Sequence, residues 1–324
     1  MKKSFKLFLA AAFVVTEFFI VALPLMITSA KADGHPIQAI THAGFGGGTD
    51  VTTRMMLLRT RRYLKQDMQL VNKKGGGGAA SMDYMMTLPA DGQHTLTWTT
   101  GHAVSMALGK TKVKLSDMQP LARGTDDPQL FVVNCKNEIK DAKKFISAQK
   151  SKSLKYGTTH VGGIDDVSAI AFTKKGKLTD PTIVPYKGVG PIKTNLIKGD
   201  IDVGVLNLGE AVTEIEDGTL CVSVVLASNR MEKLSNVPTA TELGIPVVLS
   251  TVRGFVTRKG VPADRKKQLE DAMIKAMEHK YFQSFLTDIG LDSTSVVGAD
   301  EWGKQMEVML AEMTAQLKAL GYIN

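Results

Sequence analysis

The most informative part of the chain is Thr41-His42-Ala43-Gly44-Phe45-Gly46-Gly47-Gly48-Thr49-Asp50, which follows a short apolar run and precedes an amphipathic segment from Val51 to Leu64. This order predicts a strand, a glycine-rich turn and the start of a helix. Clustered glycines let successive backbone N–H groups point into one concavity, and a helix N-terminus adds partial positive charge. The turn is therefore predicted to hold an anion, and a plain tight turn is the alternative.

Two nucleotide-binding motifs fit this turn poorly. A dinucleotide fingerprint reads Gly-x-Gly-x-x-Gly, but counting from Gly44 and Gly46 the last position is Thr49. The Gly-Lys-Ser/Thr ending of a phosphate-binding loop does not occur in the turn. We therefore expect no bound cofactor, and we interpret Asp50 as a first-turn or N-cap residue of the helix.

The first 32 residues have the pattern of a secretory signal. Met1-Lys2-Lys3-Ser4-Phe5-Lys6 is basic, a long apolar run follows, and Ala30-Lys31-Ala32 has the small-x-small pattern of a cleavage site. We predict cleavage after Ala32 and a periplasmic mature protein. An uncleaved anchor helix from Leu7 to Ile27 is the alternative, although Glu17 would be costly near the middle of a bilayer.

The charge of the chain is moderately positive. The net charge is +8, and the four lysines and one glutamate of residues 1–32 account for +3, which leaves about +5 for the mature part. This balance would help to attract anionic solutes. Because aromatic residues make up only 6% and no basic block alternates with them, we expect no nucleic-acid partner.

Strand-like and helix-like segments alternate after the signal, which predicts an α/β fold with largely parallel sheets. Short, unalternating apolar runs are typical of strands that are covered on both faces. The predicted strands are Ile37–Ile40, Met68–Val71, Thr95–Trp98, Leu130–Val133, Ile183–Val184, Val203–Leu206, Val222–Leu226 and Gly254–Val256.

Two crossovers divide the predicted fold into two lobes. One crossover follows Pro128, and the other lies near Val248 to Gly254. We therefore expect one lobe to contain residues 33–128 and 254–324, and the other to contain residues 129–253.

A second loop resembles the first in composition. Tyr156-Gly157-Thr158-Thr159-His160-Val161-Gly162-Gly163-Ile164-Asp165-Asp166 runs from a strand-like start into small residues and then into a helix. The threonine hydroxyls and glycine N–H groups could hold the same anion as the first loop. His160 is more often structural than a ligand contact. Asp165 and Asp166 are most simply helix caps, and the alternative is that one of them accepts a hydrogen bond from a solute.

Further candidate contacts follow other predicted strands, where α/β proteins place their ligands. They are Thr99, Thr100, Tyr186 and Asn207, and the ring of Tyr186 could form one wall of a pocket.

The sequence gives little support for catalysis, because Gly-x-Ser-x-Gly and His-Glu-x-x-His motifs do not occur. Cys135 and Cys221 each adjoin a predicted strand, so a disulfide is possible, but the sequence leaves the pairing open; a metal site is less favoured.

An ordered set of motifs resembles one protein family. The first glycine turn is followed by Gly75 to Gly78 with Pro89-Ala90-Asp91-Gly92, Val184-Pro185-Tyr186-Lys187-Gly188, Val237-Pro238-Thr239 with Glu242-Leu243-Gly244, and Gly260-Val261-Pro262. Together they resemble the periplasmic solute receptors of tripartite tricarboxylate transporters, also called the Bug family. The resemblance covers nearly the whole mature chain and implies a two-lobed, type II-like binding protein of the Venus flytrap kind. It also implies that the solute is a small organic acid, which is handed to membrane permease subunits.

The resemblance implies that a carboxylate is held between the two glycine-containing loops. The chain departs from the family pattern at Phe45 and His42, where prolines are usual, and at Asp166, where a histidine is common. Backbone donors should preserve the binding mode, whereas the side chains that set solute identity differ.

The sequence thus predicts a monomeric solute receptor that is not an enzyme and holds no metal. A secreted α/β enzyme acting on an anionic molecule and a membrane-anchored sensor lobe are the alternatives. The predicted ligand-binding residues are Phe45, Gly46, Gly47, Gly48, Thr49, Asp50, Thr99, Thr100, Thr158, Thr159, His160, Gly162, Gly163, Asp165, Tyr186 and Asn207.

Overall fold

Strands and helices alternate along the computed structural model, which describes residues 35–159 and 161–324. The predicted signal of residues 1–32 and His160 lie outside the described residues. The strands are β1 Ile37–Thr41, β2 Met68–Asn72, β3 His94–Thr99, β4 Met118–Pro128, β5 Leu130–Asn134, β6 Lys155–Thr158, β7 Thr182–Pro185, β8 Val203–Leu206, β9 Leu220–Val225, β10 Ser250–Arg258 and β11 Val297–Gly298. The longer helices are α1 Gly48–Leu64, α2 Ala79–Met86, α3 Thr100–Ala107, α4 Ala142–Ser151, α5 Ile164–Lys175, α6 Val189–Lys198, α7 Leu208–Glu216, α8 Ala263–Met277, α9 Lys280–Asp288 and α10 Ala299–Ala319.

The strands form two sheets. The first has six strands in the order β11-β4-β10-β3-β1-β2, and the second has five in the order β7-β6-β8-β5-β9. The chain leaves the first sheet at Pro128, enters the second at Leu130, and returns to the first at Ser250. The predicted two-lobed α/β fold with two crossovers is therefore confirmed.

The expectation of largely parallel sheets was wrong. β1 runs parallel to β2 and β3, and β6 runs parallel to β7 and β8. However, β10 is antiparallel to both β3 and β4, and β5 is antiparallel to both β8 and β9. These strands adjoin the crossovers. The chain passes from β4 to β5 and from β9 to β10 without an α-helix, whereas parallel neighbours are joined through a crossover that is usually helical. Both sheets are therefore mixed.

One apolar cluster joins the two sheets. Trp98 of β3 and Trp302 of α10 are fully buried, with ring centroids 5.8 Å apart. The same cluster continues to Phe131 of β5 and Phe172 of α5, whose rings lie 4.9 Å apart. Helices α5 and α10 therefore pack on strands of both sheets within one shared apolar core.

Cys135 and Cys221 form a disulfide. β5 pairs antiparallel with β9, and Val133 lies opposite Cys221. Cys135, two residues after Val133, therefore lies close to Cys221. The Cα atoms of the two cysteines are 5.0 Å apart, within the usual range for a disulfide. The pairing that the sequence left open is thus made across one edge of the second sheet.

Candidate functional site

The predicted site residues follow strands of both sheets. β1 leads into α1, β3 into α3, β6 into α5, and β8 into α7. Each of these helices begins just after its strand ends, so helix N-termini gather where ligands bind in α/β proteins. This arrangement explains why short polar residues occur directly after apolar strands.

The first loop ends at the N-terminus of α1. Gly47 is its extended N-cap, and Gly46 has a φ of +75°, which glycine adopts without strain. The N–H groups of Gly48 and Thr49 belong to the first turn, where helical geometry supplies no acceptor. Phe45 is 77% exposed, and the cations of Arg54 and Lys74 lie 5.8 and 5.7 Å from its ring centroid. The loop therefore presents backbone donors beside an exposed aromatic ring.

Asp50, in the first turn of α1, hydrogen-bonds back to the loop that precedes the helix. Its Oδ2 accepts the Gly46 N–H at 3.0 Å and the Arg54 Nε–H at 2.8 Å. Burial raises the pKa of Asp50, but the hydrogen bonds from Arg54, Gly46 and Asn72 outweigh it, and the pKa lies below the usual value. Asp50 is therefore ionised and already paired within the first helical turn.

Thr99 and Thr100 use their hydroxyls inside the protein. The Thr99 N–H donates to His102 Nδ1 at 3.0 Å, and the Thr99 hydroxyl lies 3.1 Å from the same atom. The Thr100 hydroxyl donates to the Ser250 carbonyl at 3.0 Å and accepts the Val252 N–H at 2.9 Å. Burial, followed by the nearby His42, lowers the pKa of His102 well below its usual value. These groups tie α3 to β10.

The second loop turns its donors toward its own aspartates. The N–H and hydroxyl of Thr159 donate to Asp165 Oδ2 at 2.8 and 2.6 Å, and the Gly162 N–H donates to Asp166 Oδ2 at 2.6 Å. Gly163 is the N-cap of α5, so both aspartates stand in the first helical turn. The N-cap Gly163 receives no side-chain cap bond, and both aspartates accept hydrogen bonds from the loop that precedes α5, so the interpretation of these aspartates as helix caps is not confirmed.

Three further predicted residues lie at the ends of the second sheet. Thr158 is buried, and its hydroxyl has no hydrogen-bond partner within the part of the chain that the structure describes. Tyr186 is half-buried, and its N–H donates to the Thr158 carbonyl at 2.8 Å. Asn207 is 3% exposed, and its Nδ2 donates to the carbonyls of Asp127 and Pro128 at 2.9 and 3.0 Å. Asn207 thus joins the end of β8 to the crossover.

Arg253 of β10 contacts a predicted site residue of each sheet, Thr49 and Asn207, and was not itself predicted. Its guanidinium is 3% exposed, with Nε 3.3 Å from Thr49 Oγ1 and Nη2 3.3 Å from Asn207 Oδ1. Its Nη1 donates to Asp127 Oδ2 at 3.1 Å. A charged residue within the apolar run Val252 to Val256 is the sequence signal that could have found it.

Two carboxyl groups near Arg253 have raised pKa values. Burial raises the pKa of Asp127 to about 6, although the Arg253 charge lowers it. Burial also raises the pKa of Glu210 to about 7, while the Asn207 N–H and Arg253 lower it. Glu210 is only half-buried, so water screens its charge more than it screens the charge of the fully buried Asp127.

The opposite face of the crossover strands holds a different cavity. A β-bulge pairs Arg253 with Thr125 but the next residue, Gly254, with Arg123, so the two arginines point to opposite faces. A cavity of about 830 Å³ lies on the Arg123 face, and among the predicted site residues that the structure describes, Thr100 lines it. The predicted site is therefore not this cavity.

No group of three or more metal-ligating side chains occurs within residues 35–159 and 161–324. Over the same ranges, no helix combines the length and apolar character needed to cross a bilayer.

Two sheets joined by two crossovers, with helix N-termini and polar side chains of both sheets meeting between them, define a two-lobed solute-binding protein. Residues 52–320 match the tripartite tricarboxylate transporter family receptor, and the chain belongs to that family of solute-binding receptors.

The chain is similar to one relative in sequence and to two solved structures in fold. Protein BugT of Bordetella pertussis is 27% identical over 220 residues, which cover 65% of this chain and 66% of BugT. MatC of Rhodopseudomonas palustris, solved with bound malate, is 23% identical with a TM-score of 0.77, covering 87% of this chain and 98% of MatC. R. palustris Rpa4515, solved with adipate, is 21% identical with a TM-score of 0.79, covering 88% of this chain and 97% of that protein. At these identities the two structures are similar in fold.

Proposed function

We propose that this protein is a periplasmic receptor that captures a small organic acid and delivers it to the membrane permease subunits of a tripartite tricarboxylate transporter. Family membership supports this role, and malate and adipate, which the two structural relatives hold, are both carboxylates. We propose cleavage of residues 1–32, a monomeric mature protein, and lobes made of residues 33–128 with 254–324 and of residues 129–253.

The observation that carries this proposal is that one residue from each sheet contacts the buried guanidinium of Arg253. Thr49 follows β1 of the first sheet, and Asn207 follows β8 of the second, yet both lie 3.3 Å from the same guanidinium. The N-terminus of α1 faces the same point through Gly48, where an added Cβ would lie 2.6 Å from Arg253 Nη2. A solute bound there would touch both lobes and would therefore favour their closed arrangement.

The energetics require more than the helix N-terminus. A helix dipole contributes about 0.3 to 1 kcal/mol at an exposed site, whereas micromolar affinity needs about −8 kcal/mol. Hydrogen bonds to a charged group contribute about 1.5 to 3 kcal/mol each. Several such bonds are therefore needed, and Gly48, Thr49 and Asn207 are the proposed contacts beside the Arg253 guanidinium.

The second loop has a more limited role in this proposal. A carboxylate reaching Thr159 or Gly162 would have to displace Asp165 or Asp166 from donors that they already occupy at 2.6 to 2.8 Å. We propose that this loop closes over the solute, while the first loop and Asn207 provide most of the binding. Phe45, at the edge of the first loop, would cover the apolar part of the solute.

Thermal denaturation with a panel of acids tests the function. We expect malate, adipate, citrate, benzoate or aspartate to raise the melting temperature by several degrees, because a solute at about 100 times its Kd adds about 2.7 kcal/mol to native stability. Malamide, the uncharged diamide of malate, is the matched control and should cause no shift. A panel without any shift would contradict the proposal.

Two additional measurements separate the alternatives. An enzyme would convert the bound acid, so an unchanged NMR spectrum of the acid after prolonged incubation is expected for a receptor. An anchored sensor would retain residues 1–32, so a mature mass beginning at Asp33 is expected for an exported receptor. Loss of labelled-acid uptake in cells lacking the protein would support delivery to a permease.

A further inference from the structure

Two buried arginines lie on neighbouring strands and differ in how their guanidinium groups are used. Arg123 directs its Nε and Nη2 to the carbonyls of Ser295 and Thr294, at 2.9 and 2.8 Å. Its Nη1 donates to Gln305 Oε1 at 2.6 Å. Short bonds to backbone carbonyls occupy the whole Nε–Nη2 edge, so Arg123 holds the 293–295 segment and α10 in place.

Arg253 has a different set of partners. Its Nη1 faces Asp127, whereas its Nε–Nη2 edge meets, within residues 35–159 and 161–324, two uncharged oxygens, Thr49 Oγ1 and Asn207 Oδ1, both at 3.3 Å. These distances are at the long end for N–H···O bonds, which are usually 2.7 to 3.2 Å. A guanidinium edge matches the two oxygens of a carboxylate, and the charged pair is about twice as strong as bonds to neutral acceptors. This edge is therefore better suited to a carboxylate than to its present partners.

The position of this edge also fits an incoming anion. An added Cβ at Gly48 would lie 2.6 Å from Nη2 and 3.2 Å from Cζ of Arg253. The guanidinium can approach the first turn of α1 only because residue 48 is glycine. The cation therefore lies against the first turn of α1, and both the cation and the helix N-terminus favour negative charge nearby.

We propose that the Nε–Nη2 edge of Arg253 binds the carboxylate of the solute bidentately and thereby makes the receptor selective for anionic solutes. This inference rests on the proposed function and deepens it. The carboxylate takes the place of Thr49 Oγ1 and Asn207 Oδ1 at this edge, while Asp127 keeps Nη1. The released Thr49 hydroxyl can then donate to or accept from other groups of the solute, and the released Asn207 Oδ1 can accept from them, directly or through water.

Titration calorimetry of two arginine variants tests the proposal. Arg253→Met should weaken binding of the acid with the largest thermal shift at least tenfold, whereas Arg123→Met removes a guanidinium of similar burial from the other face and should leave the affinity within twofold. Arg253→Lys, which keeps the charge but loses the planar edge, should fall between Arg253→Met and the unchanged protein. Circular dichroism and melting temperature establish that each variant is folded at the temperature of titration.

Gly48→Ala provides a test that keeps the arginine. The added methyl group should push the flexible guanidinium away from α1, with little change in melting temperature and about a tenfold loss of affinity. Equal affinity for the unchanged protein, Arg253→Met and Gly48→Ala would overturn the inference while the carboxylate receptor function stands. If the unchanged protein binds none of the acids, or binds malamide as tightly as malate, the proposed function itself fails.

Discussion

Trp302→Ala is expected to lower the free energy of unfolding by about 3 to 5 kcal/mol, as large-to-small changes at fully buried tryptophans do. Trp302 is fully buried, and its indole packs on Trp98 and directly on the backbone of Gly254, where an added Cβ would lie 2.3 Å from the ring. The ring thus supports β10 from the face opposite Arg253. Urea denaturation followed by circular dichroism measures the loss, and Trp302→Phe should lose less because it retains most of the contact.

Gly254→Ala provides the second half of a double-mutant cycle. Its methyl group should clash with the rigid indole and cost about 1 to 3 kcal/mol, since a packed core cannot absorb the extra volume. In the double variant Gly254→Ala/Trp302→Ala the methyl group enters the space that the indole vacated. The double variant should therefore be less destabilised than the sum of the single variants. Strict additivity would show that the indole does not pack on this glycine in solution.

The parts of the fold that the sequence predicted are those with a local signal. Thr41 to Asp50 predicted the end of β1, the glycine turn and the start of α1, because apolar residues, glycines and an amphipathic segment follow one another there. The strand over Met118–Pro128 was missed because Arg123, Thr125 and Asp127 interrupt any apolar run. Its burial comes from the neighbouring β10 and from α8 and α10, which only the tertiary structure brings together.

The candidate site was less predictable, because side-chain direction depends on distant partners. Thr99 and Thr100 follow a strand, as ligand-binding residues often do, but their hydroxyls are directed to His102 and to the backbone of β10. Arg253 lies more than 200 positions after Thr49, and no spacing rule connects the two. The position of Arg253 within an apolar strand was the remaining signal, but it does not predict which way the side chain points.

Asp127 and Arg253 make an unusual pair, because burial outweighs the attraction between them. The nearby guanidinium lowers the pKa of Asp127, yet desolvation of the carboxylate raises it to about 6. A solute carboxylate at the Nε–Nη2 edge would add a second anion beside the same cation. The occupied site should therefore hold a proton at Asp127 more tightly than the empty site does.

Asp127 is also expected to make the protein less stable as the pH rises from 4 to 7. The pKa of Asp127 is about 6 in the folded state and 3.8 in the unfolded chain, so the folded protein holds the proton more tightly. The stabilisation is therefore complete below pH 3.8 and is lost as the pH rises through 6. The expected loss is about 3 kcal/mol, because one pKa unit corresponds to about 1.4 kcal/mol.

Urea denaturation at half-unit pH intervals measures this effect. Asp127→Asn mimics the protonated carboxyl group, so its stability should vary less between pH 4 and 7 and should exceed that of the unchanged protein at pH 7.5. Glu210, whose pKa is also raised, adds a dependence of the same sign that Asp127→Asn/Glu210→Gln should remove. Asp126→Asn, on the other face of the same strand, should retain most of the pH dependence, because the Asp126 charge is the smallest of the causes that act on the pKa of Asp127.

The same protonation should alter solute binding. Below pH 6 a neutral Asp127 no longer offsets the charge of Arg253, so affinity for a fully ionised acid should increase between pH 7.5 and 5.5. In Asp127→Asn this increase should be smaller, because the opposing carboxylate is missing at every pH while Glu210, whose pKa is raised to about 7, still gains a proton. Calorimetry at the two pH values, with an acid whose own pKa values lie well below 5, separates the protein's titration from that of the solute. Parallel affinity changes in both proteins would show that Asp127 does not control the charge that the solute meets.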